Sequence, residues 1–199
     1  MRYMKRIALT FFACILFICA AHAQELKRVE HKTPLLRTEG EEVFSFEISS
    51  LKENTYKIVF EVKEYAKGAL AGRVVSSVAF VKKNKMSEMI SIEASPVADS
   101  LKTVSLSINN ERQLSRDLAL KPLEGPGSRI RYHYDARPFR VGAVQLGAFT
   151  PLVLLGSFWF DEREGGYRFC GEKEFPADMS SVSLEKIPHY YVIGITITK

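Results

Sequence analysis

The chain has 199 residues, a formal net charge of +5, 46% hydrophobic side chains and 26% charged ones. Three of the positive charges (Arg2, Lys5, Arg6) lie in the first six residues, and residues 24–199 hold 25 basic and 23 acidic side chains. A net of +2 over those 176 residues excludes the basic footprint of a nucleic-acid binder.

The start of the chain reads as a secretory leader. MRYMKR is followed by the apolar run IALTFFACILFICAA and then by Ala21-His22-Ala23, a small-x-small site ahead of Gln24. Basic, apolar and cleavable regions in that order make a signal peptide, with cleavage expected after Ala23. The run is short of the roughly 20 residues a spanning helix needs. Phe-Phe-Ala before Cys14 and Leu-Phe-Ile before Cys19 do not suit a lipoprotein signal. The expected fate is periplasmic, extracellular or at the cell surface, with no membrane span in the mature chain. Only Cys170 stays after cleavage, so no disulfide within the chain is expected and stability must come from a core.

From residue 43 onward the pattern is β. VFSFEI at 43–48 alternates, and TYKIVFEV at 55–62 places Tyr56, Ile58, Phe60 and Val62 on one face. RVVSSVAFV at 73–81 is apolar on both faces, the pattern of a strand covered on both sides, and KKNK joins it to MSEMISIEA at 86–94. LKTVSLSI at 101–108 ends in Asn109-Asn110, a pair that tolerates the left-handed conformations of a tight hairpin. ERQLSRDLAL at 111–120 fits a helix through Leu114 and Leu118, and a strand equally well with Leu120. Further strands are expected at 129–135, 139–146, 152–160, 167–170 and 190–198. The last carries Tyr191, Ile193, Ile195 and Ile197 on one face, as an inner strand would. LGAFTPLVLLGSFWF at 146–160 is broken by Pro151 and Gly156, so it reads as core strands and not a membrane span.

The expected fold is all-β, an antiparallel β-sandwich or barrel-like sandwich of about ten short strands with little helix. Pro and Gly concentrate in KPLEGPGS at 121–128. That break joins either two sheets of one domain over 24–199 or two small β subdomains, and the absence of a repeat favours one domain.

SFWFDEREGGYRFCGEKEF at 157–175 holds the single tryptophan and folds as a hairpin around Gly165-Gly166. A two-residue loop would oppose Arg163 and Arg168. A four-residue loop from Arg163 to Gly166 would instead pair Asp161 with Arg168 and Phe160 with Phe169, each favourable cross-strand pair being worth roughly 0.2–1 kcal/mol. One face then carries Phe158, Phe160 and Phe169, the other Trp159, Asp161, Arg168 and Cys170. An exposed Trp159 beside the Asp161–Arg168 pair would make a sugar-stacking surface; the competing expectation is that Trp159 packs under a loop or second sheet. Cys170 has no histidine in a context typical of a thiol enzyme and is expected to be a buried free thiol.

The best polar candidate is SRIRYHYDARPFR at 128–140. Alternation sets Arg129, Arg131, His133 and Asp135 on one face, with Arg137 and Arg140 just beyond. Such a set could hold a carboxylate, sulfate or phosphate through charge-assisted hydrogen bonds; otherwise it is a solvated strand face. The scattered histidines show no ligand spacing, and no phosphate loop or Gly-x-Ser-x-Gly elbow is present, so no metal or cofactor is expected.

The leader, the length and the closing GSFWFDEREGGYRFCGEKEF…IPHYYVIGI pattern resemble those of small secreted β-rich proteins of unknown function of the Bacteroides type. The resemblance implies an exported protein with no assigned catalytic residues. Two functions are compatible with these residues. One is a non-catalytic binding or structural module at the cell envelope, contacting a glycan or a protein partner. The other is a small polysaccharide lyase or hydrolase on acidic glycans, in which Arg131 neutralises a uronate and His133 or Tyr134 takes its α-proton. A deep cleft uniting histidine, tyrosine and arginine would favour the enzyme.

Overall fold

A computed structural model describes residues 24–29, 40–48, 55–81, 88–125 and 131–198. The expected leader and Arg129 lie outside the described residues. Thirteen strands, numbered in chain order, and one single-turn helix make up the regular structure of the described part. The first sheet runs in the order β7 (Glu111–Ala119), β6 (Leu101–Ile108), β5 (Glu88–Ala98), β2 (Glu42–Ile48), β1 (Gln24–Val29) and β9 (Ala143–Val144). The second runs β4 (Ala69–Val81), β3 (Thr55–Ala66), β13 (His189–Thr198), β10 (Phe149–Ser157) and β8 (Tyr134–Pro138). β11 (Trp159–Asp161) and β12 (Gly166–Arg168) form a separate hairpin, and α1 spans Ser183–Lys186. All ladders between the strands are antiparallel, and the all-β sandwich expected from the sequence is the architecture found.

The core follows from the alternation. Phe46, Ile48, Ile90, Ile92, Val104 and Leu106 of the first sheet meet Ile58, Phe60, Val62, Ile193, Ile195 and Ile197 of the second, all buried in one cluster. Each such side chain contributes about 1.5–3 kcal/mol when removed from water. A second cluster lies on the other face of β10 and β13, where Leu154, Tyr190 and Val192 meet Phe139, Phe175, Leu184 and Ile187. The segment between β10 and β13 is therefore folded back over the second sheet. It is pinned by a parallel bridge between Phe139 and Phe175, with the Arg140 N–H donating to the Phe175 carbonyl at 2.7 Å.

That covering segment corrects one expectation. β10 and β13 are the strands covered on both faces, whereas β4, which contains 73–81, is an edge strand with Val74 46% and Val75 47% exposed. Apolar residues on both faces of a strand show what could be covered, not what is. The segment 111–120 is a strand, β7, paired to β6 with Leu106 opposite Leu114. Asn109 and Asn110 turn the chain between them at φ 51° and 69°. Among the described residues, regular pairing in the predicted strand 129–135 begins at Tyr134, and in 139–146 it is confined to Ala143–Val144 and the Phe139 bridge. The break at 121–128 leads from an edge of the first sheet to an edge of the second.

The hairpin has a four-residue loop, but one residue earlier than expected, at 162–165, with Trp159 opposite Arg168 and Phe160 opposite Tyr167. The turn is set by backbone chemistry. The Asp161 carboxylate accepts the N–H groups of Arg163 (3.0 Å) and Glu164 (3.4 Å), and Gly165 closes the loop at φ 65°. A shift of two in register keeps the same side chains on each face, so Arg168 still reaches Asp161 diagonally at 3.1 Å.

Candidate functional site

At one end of the sandwich the inner faces of four strands change from aliphatic to polar. β13 alternates inward from Ile193 through Tyr191 to His189. β3 alternates from Val62 to Glu64, which sits opposite Tyr191, and Tyr134 of β8 sits opposite Ser157 of β10. The chain is held there by the β3–β4 turn, where Lys67 (φ 51°) and Gly68 (φ 76°) are both left-handed and the Lys67 N–H donates to the Pro188 carbonyl at 2.8 Å.

These side chains form one chain of hydrogen bonds. His189 Nε2 lies 2.9 Å from Glu64 Oε1, and its Nδ1 lies 2.6 Å from the Tyr134 hydroxyl. That hydroxyl accepts the Lys121 N–H at 3.0 Å and is also hydrogen-bonded to the Ser157 side chain. Ser157 Oγ in turn accepts the His189 N–H at 3.3 Å. With Lys121 and Ser157 both donating to the phenol oxygen, its proton goes to His189 Nδ1, which leaves Nε2–H to donate to Glu64. Tyr191 stands edge-on to the imidazole at 5.0 Å and donates to the Ala119 carbonyl at 2.7 Å.

Burial raises the Tyr134 phenol far above its ordinary pKa, against the pull of the Lys121 N–H. Burial and then the Glu64 charge push Tyr191 up to about 12. Both phenols stay protonated at any physiological pH.

Two depressions flank Tyr134. The first, about 200 Å³, has Tyr134, Ser157 and His189 among its lining, walls of Ala66, Pro122, Leu123, Phe158 and Pro188, and Lys67, Lys121 and Glu124 as its charged groups. The second, about 350 Å³, is more open and is lined by residues that include Val97, Asp99, Lys102, Tyr132 and His133. Among the described residues no ion pair holds Lys67 or Lys121.

Beside them lies a carboxyl in an unusual state. Glu42 Oε1 accepts the Ala136 N–H at 3.2 Å, and Lys102 Nζ is 3.5 Å from Oε2. Burial raises its pKa to about 7, outweighing the lysine, and the hydrogen bond to Asp135 adds to the rise. Asp135 is itself paired with Arg137 at 2.6 Å.

The sequence-predicted residues divide between these places. His133 stacks on Phe158, ring centroids 3.9 Å apart, and belongs to the second depression. Arg131 is exposed nearby, and its carbonyl accepts the Leu123 N–H at 2.7 Å. Arg137 turns away to Asp135 and the Phe169 ring, and Arg140, 76% exposed, lies 4.0 Å from Glu174. Arg131, Arg137 and Arg140 therefore do not form one anion-binding face. The cause is local: among the described residues strand geometry begins at Tyr134, so alternation does not extend back to Arg131.

Trp159 is half-buried against the second core, so its ring is not a free stacking platform, and Asp161 and Arg168 pair with each other on the hairpin. Cys170 is a buried free thiol raised further above its ordinary pKa by burial. Glu64, His189, Lys67 and Lys121 were missed. The available signal was the alternation of β13, which carries His189 onto the face of Tyr191.

Among the described residues no three His, Cys, Asp or Glu side chains gather as metal ligands, and no helix is long and apolar enough to cross a membrane. The fold and site define an antiparallel β-sandwich with a hydrogen-bonded Glu–His–Tyr floor and two adjoining surface depressions. The chain belongs to the family described as Domain of unknown function (DUF5041), whose model matches residues 18–199. No curated protein and no solved structure matches it.

Proposed function

We propose that this protein is an exported, non-catalytic binding module of the cell envelope, and that it holds an acidic ligand, a uronate- or sulfate-bearing glycan, in the two depressions around Tyr134. The observation that carries this reading is the pairing of two ammonium groups that no ion pair holds among the described residues, Lys67 and Lys121, with apolar and aromatic walls above a floor whose polar atoms are already bonded. A sugar ring needs flat apolar contact, and its acid group needs a cation.

Export is supported by the leader and by the resemblance to Bacteroides-type secreted proteins. It is also compatible with the fold, because all the described strands lie beyond the expected cleavage site. Cleavage there leaves every described strand intact.

A lyase acting on the same glycans would need a lone pair free to take the α-proton. His189 uses both ring nitrogens within the protein, and the Tyr134 oxygen is bonded to three groups. His133 is not so restricted, but among the described residues no arginine lines its depression. These features favour binding over turnover.

The test is a glycan-array screen with sulfated and uronic-acid polymers, using the wild type, Lys67→Ala, Lys121→Ala and Trp159→Ala. Acidic polymers should bind, each lysine variant should weaken binding about tenfold, equivalent to about 1.4 kcal/mol, and Trp159→Ala should not. Binding lost in Trp159→Ala alone would return the site to the hairpin.

A further inference from the structure

We infer that β4 is a dimerisation edge: two copies pair their β4 strands antiparallel about a two-fold axis, joining two five-stranded sheets into one of ten. The two described sheets end in four edge strands, β7, β9, β4 and β8. An unprotected edge strand is a template for pairing, and proteins blunt such edges by shortness, charge, proline or bulges. β9 is two residues long. β8 is five residues long and contains Asp135, Arg137 and Pro138. β7 carries Glu111, Arg112, Arg116 and Asp117.

β4 has little of this protection, although Arg116 of β7 reaches across to donate to its Ser76 hydroxyl at 2.6 Å. It runs thirteen residues, ALAGRVVSSVAFV, with a single charged side chain and no proline. Its one irregularity faces the Glu64/Tyr65 step, which leaves a straight run from Gly72 to Val81. Among the described residues only β3 pairs with it. Leu70, Val74 and Val75 are 57%, 46% and 47% exposed, which makes them three of the five large hydrophobic residues exposed on the described surface.

The occupant is fixed by charge and pattern. Arg73 is neutralised within its own chain by Glu61, whose carboxylate it meets at 2.7 Å. An apolar, nearly uncharged edge fits another apolar, uncharged strand, and the same strand of a second copy is one. Centring the two-fold on Val75 sets Val75 against itself and Arg73 opposite Ser77. The two Arg73 positions are then about 13 Å apart at about 3.3 Å per residue, beyond the screening length of about 8 Å at physiological salt. Residues 72–78 of each copy would then overlap and form about seven new backbone hydrogen bonds.

Sedimentation equilibrium of the purified protein at tens of micromolar should give twice the chain mass. Hydrogen exchange in residues 72–81 should slow as concentration rises. Val75→Lys sets two ammonium groups face to face on the axis and should weaken association at least a hundredfold while leaving the circular dichroism unchanged. Val74→Lys, at a position equally exposed, serves should Val75→Lys fail to fold. A monomer at 200 μM overturns the inference, as does a folded lysine variant that associates like the wild type. Protection of 72–81 that is the same at every concentration would mean that the edge is covered within one copy, and would overturn it too.

Discussion

Replacing Tyr134 by phenylalanine removes one oxygen and tests the structural reading of the polar floor. The hydroxyl bonds the Lys121 N–H, the Ser157 side chain and His189 Nδ1. Its loss strands a ring nitrogen on a residue only 4% exposed, together with a part-buried backbone N–H. A hydrogen bond contributes about 1 kcal/mol net, and a buried group left without a partner costs about 1–3 kcal/mol, so the variant should lose about 2–4 kcal/mol. Out of a total of about 5–15 kcal/mol that is a large fraction.

Urea denaturation followed by tryptophan fluorescence reads it directly. With a slope of about 2 kcal/mol per molar, the midpoint should fall by about 1–2 M. Tyr191→Phe is the control, since it loses the bond to the Ala119 carbonyl and should cost about 1 kcal/mol. A Tyr134→Phe midpoint within 0.25 M of wild type, or above that of Tyr191→Phe, would refute the reasoning.

Glu42 predicts a pH dependence of definite sign. Its folded pKa, about 7, lies above the ordinary 4.5, so its contribution is fully present below pH 4.5 and is lost as pH rises through 7. Ionising it in the fold costs about 3 kcal/mol, and Glu42→Gln should be the more stable protein at pH 8 by about that amount relative to the difference at pH 4.5. Parallel stability curves for the two proteins would count against the raised pKa. At Gly194 an added Cβ would stand well inside contact distance of the Thr150 carbonyl oxygen, a backbone atom that cannot swing away. Gly194→Ala should therefore cost about 2–3 kcal/mol, and an unchanged melting temperature would disprove the clash.

Much of the fold was legible because sheet burial is written in period two. Residues 43–48 and 190–198 alternate cleanly, and Asn109-Asn110 marks a turn through its tolerance of positive φ. Segment 111–120 was ambiguous because its leucines satisfy both periods, and only pairing with β6 decides between them. β1 was not read because QELKRV has just Leu26 buried among its described side chains. The hairpin register was argued from opposed charges, while the turn is fixed by Asp161 bonding two backbone N–H groups.

The site was less legible for a different reason. Glu64, Tyr134 and His189 are separated by 125 residues from first to last, and no local spacing signals a group that only the sheet order assembles. The arginines of 128–140 were conspicuous in composition, but Arg137 pairs with Asp135 and Arg140 lies near Glu174, pairings that composition does not show.

The most direct test of the central claim is calorimetric titration of the purified protein with oligouronates, with the same mixtures assayed for unsaturated or shortened products. The account predicts saturable binding, weakened about tenfold in Lys67→Ala and in Lys121→Ala, and intact ligand after prolonged incubation. Cleaved ligand, with the cleavage abolished by a folded His133→Ala or His189→Ala variant, would contradict it and make the protein an enzyme.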